Sequence, residues 1–260
     1  RRVIINAGHQ TNIEDTFIAV ETEKKECANA LYLFGNFTIR DRNNRDIAYM
    51  LSTKLKQAFF LILQYSLENG ITTQDLSDLL WPNKPEDKVK NSRGVTINNL
   101  RKSLGELDGI TLIHEKGFYK IVFNSECYCD YLACLNLIDN HDIANTGKLI
   151  SIVSRGKFLK SLDIPLLDHF KEHIEHKLEP VLIVDIEKSY KENNYPVTIA
   201  LCEALFHIDP LNEEALHYMV KSFIKLKMKD EAKRRYLSFA MEYKATLDAD
   251  YAITFSNISD

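Results

Sequence analysis

Read as a helix, the stretch from Lys88 to Leu107 (KVKNSRGVTINNLRKSLGEL) separates into two faces of different chemistry, which limits what the chain around it can be. At about 100° per residue, Val89, Ile97, Leu100, Leu104 and Leu107 fall on one stripe. Lys88, Asn91, Val95, Asn98, Asn99 and Lys102 fall on the opposite face. Five basic residues (Lys88, Lys90, Arg93, Arg101 and Lys102) and no acidic one lie between Lys88 and Gly105. Such a helix needs an apolar support on one side and leaves the other side free. The free side suits a DNA major groove: Asn can bond adenine in a bidentate way, Lys and Arg meet phosphate or guanine, and Val95 can touch a thymine methyl. An ordinary solvated helix also shows a polar face, and the adjacent Asn98 and Asn99 are poor helix formers. The flanking sequence has to decide between the two.

Net charge over all 260 residues is −4, so a nucleic-acid partner has to be argued locally. From Asp130 to Asp260 there are 16 Lys and Arg against 21 Asp and Glu, which assigns the basic character to the front half. No apolar run approaches the ~18 residues of a membrane span. The five cysteines (Cys27, Cys127, Cys129, Cys134 and Cys202) are odd in number and irregularly spaced, which argues for a reducing, cytoplasmic compartment and against a disulfide framework. Cys127 and Cys129 with Cys134 and His141 lack the paired C-x-x-C spacing of a zinc site, so they read as buried thiols and no metal is expected. The Arg-Arg start has neither Met nor a signal-peptide pattern, and reads as a piece cut from a longer protein.

Before the opening helix, residues 1–29 read as strand-like pieces and a polar linker. Ala30 to Ile39 reads as a strand, with turn chemistry at Asp41 to Arg45 and a short return strand at Ile47 to Leu51 completing a hairpin. Thr53 is the expected N-cap of a helix running to Glu68, stopped at Asn69-Gly70. Thr72 or Thr73 caps a shorter helix, Gln74 to Leu80, and the loop Trp81 to Asp87 follows. After Leu107, Ile110 to Phe123 has two β-type runs around Glu115-Lys116-Gly117, a hairpin with Lys116 at its tip. Strands, three helices and a hairpin in this order predict a winged helix whose last helix reads DNA. Lys116, with Lys120 further along the wing and Lys54 and Lys56 at the start of the first helix, supplies candidate phosphate contacts.

From Asp130 onward the periodicity is helical, with segments at Leu132–Ile138, Lys148–Val153, Leu166–Leu178, Val181–Lys191, Val197–His207, Glu213–Lys227 and Asp230–Leu247. Pro180 is expected to break or kink the chain between the third and fourth of these. Ala200, Ala204, Ala215 and Ala232 are small residues that let the last helices approach closely, in a tetratricopeptide-like pairing. The expected fold is therefore an α+β N-terminal winged helix-turn-helix (residues 30–124, after an extension at 1–29) followed by an all-α tetratricopeptide-like domain (125–260).

Six stretches in order and spacing carry a resemblance to a known family: LFGNFTI (Leu33 to Ile39), STKLKQAFFLIL (Ser52 to Leu63), ITTQDLSDLLWP (Ile71 to Pro82), NSRGVTINNLRKSL (Asn91 to Leu104), KGFYKI (Lys116 to Ile121) and DPLNEEA (Asp209 to Ala215). Together they resemble the SARP family of bacterial transcriptional activators, which join an OmpR-type winged helix to a tetratricopeptide-like bacterial transcriptional activator domain. The resemblance implies that the helix around Asn91 to Leu104 recognises DNA and that the wing near Lys116 flanks or enters the minor groove. It also implies that the loop carrying Trp81, Asn83 and Lys84 lies where relatives contact RNA polymerase. Two positions depart from the pattern. Asn99 stands where Arg is common, shifting base preference from guanine towards adenine. Arg93 falls near the inward stripe, so that it either snorkels to a phosphate or marks a later helix start.

The function these readings imply is a sequence-specific activator that binds double-stranded DNA through Lys88, Asn91, Val95, Asn98, Asn99, Arg101, Lys102, Lys116 and Lys54, as a dimer or on direct repeats, and contacts RNA polymerase. The competing class is a protein-interaction module whose winged helix has lost DNA binding. No Gly-rich phosphate loop, Gly-x-Ser-x-Gly elbow or His-Glu-x-x-His motif is present, so no enzyme activity and no cofactor are expected. His169, His173 and His176, interspersed with Glu172, Glu175 and Glu179, read as a solvated helix face.

Overall fold

The computed structural model describes residues 29–259, and the expected pieces at 1–28 lie outside that range. The chain is predominantly helical with two small three-stranded sheets. It forms two compact units, one of residues 29–141 with Arg155–Pro180, the other of Asp142–Ser154 with 181–259. No helix among the described residues is long and apolar enough to cross a membrane.

In the first unit, β1 (Asn29–Tyr32) is the middle strand of a sheet, antiparallel to β2 (Thr38–Arg40) and parallel to β6 (Cys127–Cys129). The hairpin return is thus Thr38–Arg40, and the expected return strand is instead a 3-10 turn, Ala48–Met50. Two carboxylates account for the difference. Asp41 accepts from the backbone N–H of Asn43 and Arg45 and from the Arg45 guanidinium, folding the loop onto itself. Asp46 Oδ1 accepts from Ala48 N–H at 3.0 Å, ending strand pairing at the Arg40–Asp46 bridge.

Ser52, one residue before the expected cap, starts α1 (Thr53–Ser66) by accepting from Leu55 N–H at 3.4 Å. Six consecutive residues of α1, Ala58 to Leu63, are buried, so this helix is packed on nearly all sides in its middle. The full burial of Phe59 and Phe60 contributes about 2 to 3 kcal/mol each. Thr72 caps the head of α2 (Thr73–Leu80), accepting from Asp75 N–H at 2.9 Å and donating to its carboxylate at 2.6 Å. Then come α3 (Glu86–Leu104), β4 (Ile110–Glu115) and β5 (Phe118–Phe123). With the two-residue β3 (Ile71–Thr72) the last two form the second sheet, in the order β3-β5-β4. Lys116 and Gly117 both have positive φ (51° and 85°), as a type I′ turn between right-twisted strands requires.

After β6, α4 (Asp130–Asp139) begins on Asp130, which is 0% exposed and accepts from the backbone N–H of Leu33 (2.7 Å) and Phe34 (3.2 Å). The chain later returns to this unit at Arg155. Phe158 then packs edge-on to Phe34 and Phe170, and the Arg155 guanidinium lies 3.9 Å over the Tyr32 ring.

The second unit contains α5 (Thr146–Val153), the end of α6 (Asp168–Lys191), α7 (Tyr195–Phe206), α8 (Glu213–Lys225), α9 (Lys229–Leu247) and α10 (Phe255–Ser259). The helix pairs α7 with α8 and α8 with α9 pack together, and Ala200, Ala204, Ala215 and Ala232 are buried. Pro180 does not end a helix. It sits inside the continuous α6 on an exposed side, with His176 one turn back also exposed, so water can take the carbonyl that loses its N–H partner. Asp248, in the left-handed region, ends α9, after which Tyr251 packs on Phe239 and Tyr243.

Candidate nucleic-acid interface

The helix that carries the candidate face starts earlier than its sequence pattern suggests. Glu86 and Asp87 occupy the first turn of α3, where negative charge is favoured by the helix dipole. Its inward side chains are Val89, Thr96, Ile97, Leu100 and Leu104, with Leu107 buried just beyond the helix end. Arg93 explains how the helix is held at an apparently polar inward position. Its guanidinium donates to Ser77 Oγ at 2.7 Å, tying α3 to α2. Ser77 in turn donates to the Thr73 carbonyl, so a half-buried cation is absorbed by the α2–α3 packing.

Lys88, Asn91, Val95, Asn98, Asn99, Arg101 and Lys102 are all exposed, Val95 to 62%. Among the described residues, no hydrogen-bond or ion-pair partner engages the side chains of Lys88, Asn91, Asn98, Asn99 or Lys102. Arg101 differs: its Nε donates to the Leu112 carbonyl at 3.4 Å, which steadies the stem and leaves the terminal N–H groups outward. Exposed amides with unused donors and acceptors beside three cations can hydrogen-bond base edges and phosphates together. Lys90, also exposed on the flank of α3, belongs with this set although its stripe position did not single it out.

Lys116 is exposed at the tip of the β4–β5 hairpin, and the tip is pinned to the start of α2. Thr73 donates from both its backbone N–H and its hydroxyl to the Gly117 carbonyl at 2.9 Å. Lys120 is already engaged, donating to the Glu68 carbonyl at 2.7 Å beyond the C-terminus of α1. Lys54 is engaged within the chain: its ammonium donates to the Leu80 carbonyl at 3.0 Å and sits 5.7 Å from the Trp81 ring centroid. Burial, with a smaller push from Lys84, lowers its pKa. In the loop between α2 and α3, Trp81 is buried while Asn83 and Lys84 are exposed, and Lys84 reaches Ser92 Oγ at 3.2 Å.

His169, His173 and His176 are exposed on α6, and among the described residues no three His, Cys, Asp or Glu side chains are grouped to hold a metal. Burial pushes the thiols of Cys129, Cys134 and Cys202 well above their ordinary range, the opposite of what a reactive thiol needs. Asp130 and Arg155 carried no signal in the sequence, since neither belongs to a periodic face or a motif. Only the return of the chain at Arg155 places them 3.8 Å apart.

The sequence matches no protein-family model, and no curated protein matches it. Among solved structures, the fold is similar to that of Mycobacterium tuberculosis EmbR in complex with a low-affinity phosphopeptide, with a TM-score of 0.56 at 17% sequence identity. The similarity covers 91% of this chain and 64% of that one, so the chain spans less than two thirds of that structure's length. At this identity, the likeness concerns the fold alone.

Proposed function

We propose that this chain is a sequence-specific DNA-binding transcriptional regulator of the SARP type. In this reading, residues 30–124 act as a winged helix with α3 in the major groove and the β4–β5 hairpin as the wing, and the helices after β6, some of which pack in the same compact unit as the winged helix, serve a regulatory role. The observation that carries the proposal is the α3 outer face: Asn91, Asn98, Asn99 and Lys102 are exposed and uncommitted while the opposite face is locked into the core. An exposed Asn amide offers a donor and an acceptor side by side, and the edge of adenine in the major groove can use both. Lys88 and Arg101 are assigned to phosphates or guanine, Val95 to a thymine methyl, Lys116 to the minor-groove side, and Lys54 to steadying the loop beside it. Asn83 and Lys84 are assigned to RNA polymerase, in an activating role, with the protein acting in the cytoplasm as a dimer or on direct repeats and without catalysis.

In vitro selection from random duplexes gives the operator, and mobility-shift titrations then separate the roles. Asn99→Ala costs about 1 to 3 kcal/mol on the selected duplex and little on a scrambled one. Lys102→Ala weakens both and lowers the salt slope by about one. No enrichment from the random pool, with no retention on bulk DNA at low salt, would leave the protein-interaction reading in its place.

A further inference from the structure

Gly94 lies in the middle of α3, exposed, with ordinary helical backbone geometry. Among the described residues, a Cβ built there meets no atom within 4 Å outside the neighbouring backbone of its own helix. The contrast with other glycines is informative. Gly35, Gly70, Gly109, Gly117 and Gly156 have positive φ, and a Cβ on Gly105 would press on the Arg101 carbonyl at 3.3 Å. Neither its backbone nor packing among the described residues asks for glycine at 94, yet glycine is the worst helix-interior residue after proline. A position that weakens its own helix and makes room for nothing among the described residues fits a demand from outside them.

The helical wheel shows what that demand is. At 100° per residue, Lys90 and Arg101 lie about 20 to 40° to one side of Gly94, and Asn98 and Asn91 about 40 to 60° to the other. Gly94 is therefore a gap between one pair of cations, Lys90 and Arg101, and one pair of amides, Asn98 and Asn91, with Lys102 and Lys88 farther round beyond the amides. Lys90 and Arg101 stand about 16 Å apart along the axis, a span that covers two or three consecutive phosphates of one strand. Tethered through Nε to Leu112, Arg101 keeps its terminal N–H groups for such a contact.

We propose that Gly94 is the close-approach point of the DNA: one strand's backbone passes against the bare helix between Lys90 and Arg101, and the missing Cβ sets how deeply α3 enters the groove. The inference rests on the DNA-binding reading above and adds to it a residue that sets depth, with two phosphate contacts at Lys90 and Arg101.

The test is a Gly94→Ala and Gly94→Leu series on the full chain, with the duplex recovered by selection and a scrambled duplex of equal length. Gly94→Ala melts roughly 3 °C higher than the parent because the helix gains propensity. It binds both duplexes at least tenfold more weakly, and Gly94→Leu binds more weakly still. Lys90→Ala and Arg101→Ala each lower the salt slope by about one. Gly94→Ala that melts higher and binds within twofold of the parent overturns the inference and leaves the DNA-binding reading standing. A parent chain that binds neither duplex removes both.

Discussion

Replacing Asp130 by Ala tests the junction that closes the first unit. The carboxylate is fully buried at the head of α4 and satisfies the backbone N–H groups of Leu33 and Phe34 from one side chain. Alanine leaves both donors buried and unpaired, at about 1 to 3 kcal/mol each. The Arg155 contact adds little, because it is long at 3.8 Å and the guanidinium is 40% exposed and can rehydrate. The expected loss at pH 7 is therefore about 2 to 6 kcal/mol, a large share of the 5 to 15 kcal/mol typical of a domain. Urea unfolding followed by fluorescence reads it directly, since Trp81 is the single tryptophan and is buried in the same unit.

The same variant carries a pH signature. Burial pushes the Asp130 carboxyl up to about 6, against the pull of the Leu33 and Phe34 N–H groups and of Arg155. Between about pH 4 and 6 the folded chain holds a proton that the unfolded carboxyl has already released. The stability from this proton is complete below pH 4 and fades as pH rises through 6, by up to about 3 kcal/mol. Alanine erases that component, so the difference between parent and variant shrinks as pH climbs from 4 to 7. A loss under 1 kcal/mol at pH 7, or a difference that grows with pH, would refute the reasoning.

Other perturbations read other links. Gly70→Ala forces a side chain onto a φ of +88° and brings a Cβ to 2.6 Å from the Tyr119 carbonyl, so it costs about 3 kcal/mol in the same urea assay. Thr72→Ala removes the α2 cap for about 1 kcal/mol, and the variant binds DNA normally once measured well below its new melting temperature. Arg93→Ala loses the bond to Ser77 and about 1 to 2 kcal/mol in the same urea assay. Lys116→Gly suits the left-handed turn, leaving stability within about 0.5 kcal/mol or raising it, while the salt slope of DNA binding falls by about one.

Periodic burial made much of this structure legible in the sequence. The stripe from Val89 to Leu107, the hairpin around Lys116-Gly117 and the alanines of α7 to α9 are repeated or local signals, and they lie as their spacing implies. What escaped depends on single hydrogen bonds or on contacts distant in sequence. Asp41 and Asp46 capture N–H groups that would otherwise extend a strand, and nothing in Ile47 to Leu51 itself records the competition. Pro180 argued for two helices, but its position on an exposed side spares the chain a break. On the candidate face, the outward set of α3 followed from arithmetic. The engagement of Lys54 with Leu80 did not, because it depends on where another helix ends.

The first unit is assembled from two separated stretches, 29–141 and Arg155–Pro180, with Asp142–Ser154 assigned to the other unit. During synthesis, a ribosome that has released only the first stretch presents an unfinished body: Phe34 still lacks the ring of Phe158, and Asp130 lacks Arg155. That body closes only after Pro180 has emerged, while α5 waits for helices made later still. Nascent chains stalled near residue 141 should therefore stay sensitive to protease, and those stalled far enough past 180 should become resistant in one step.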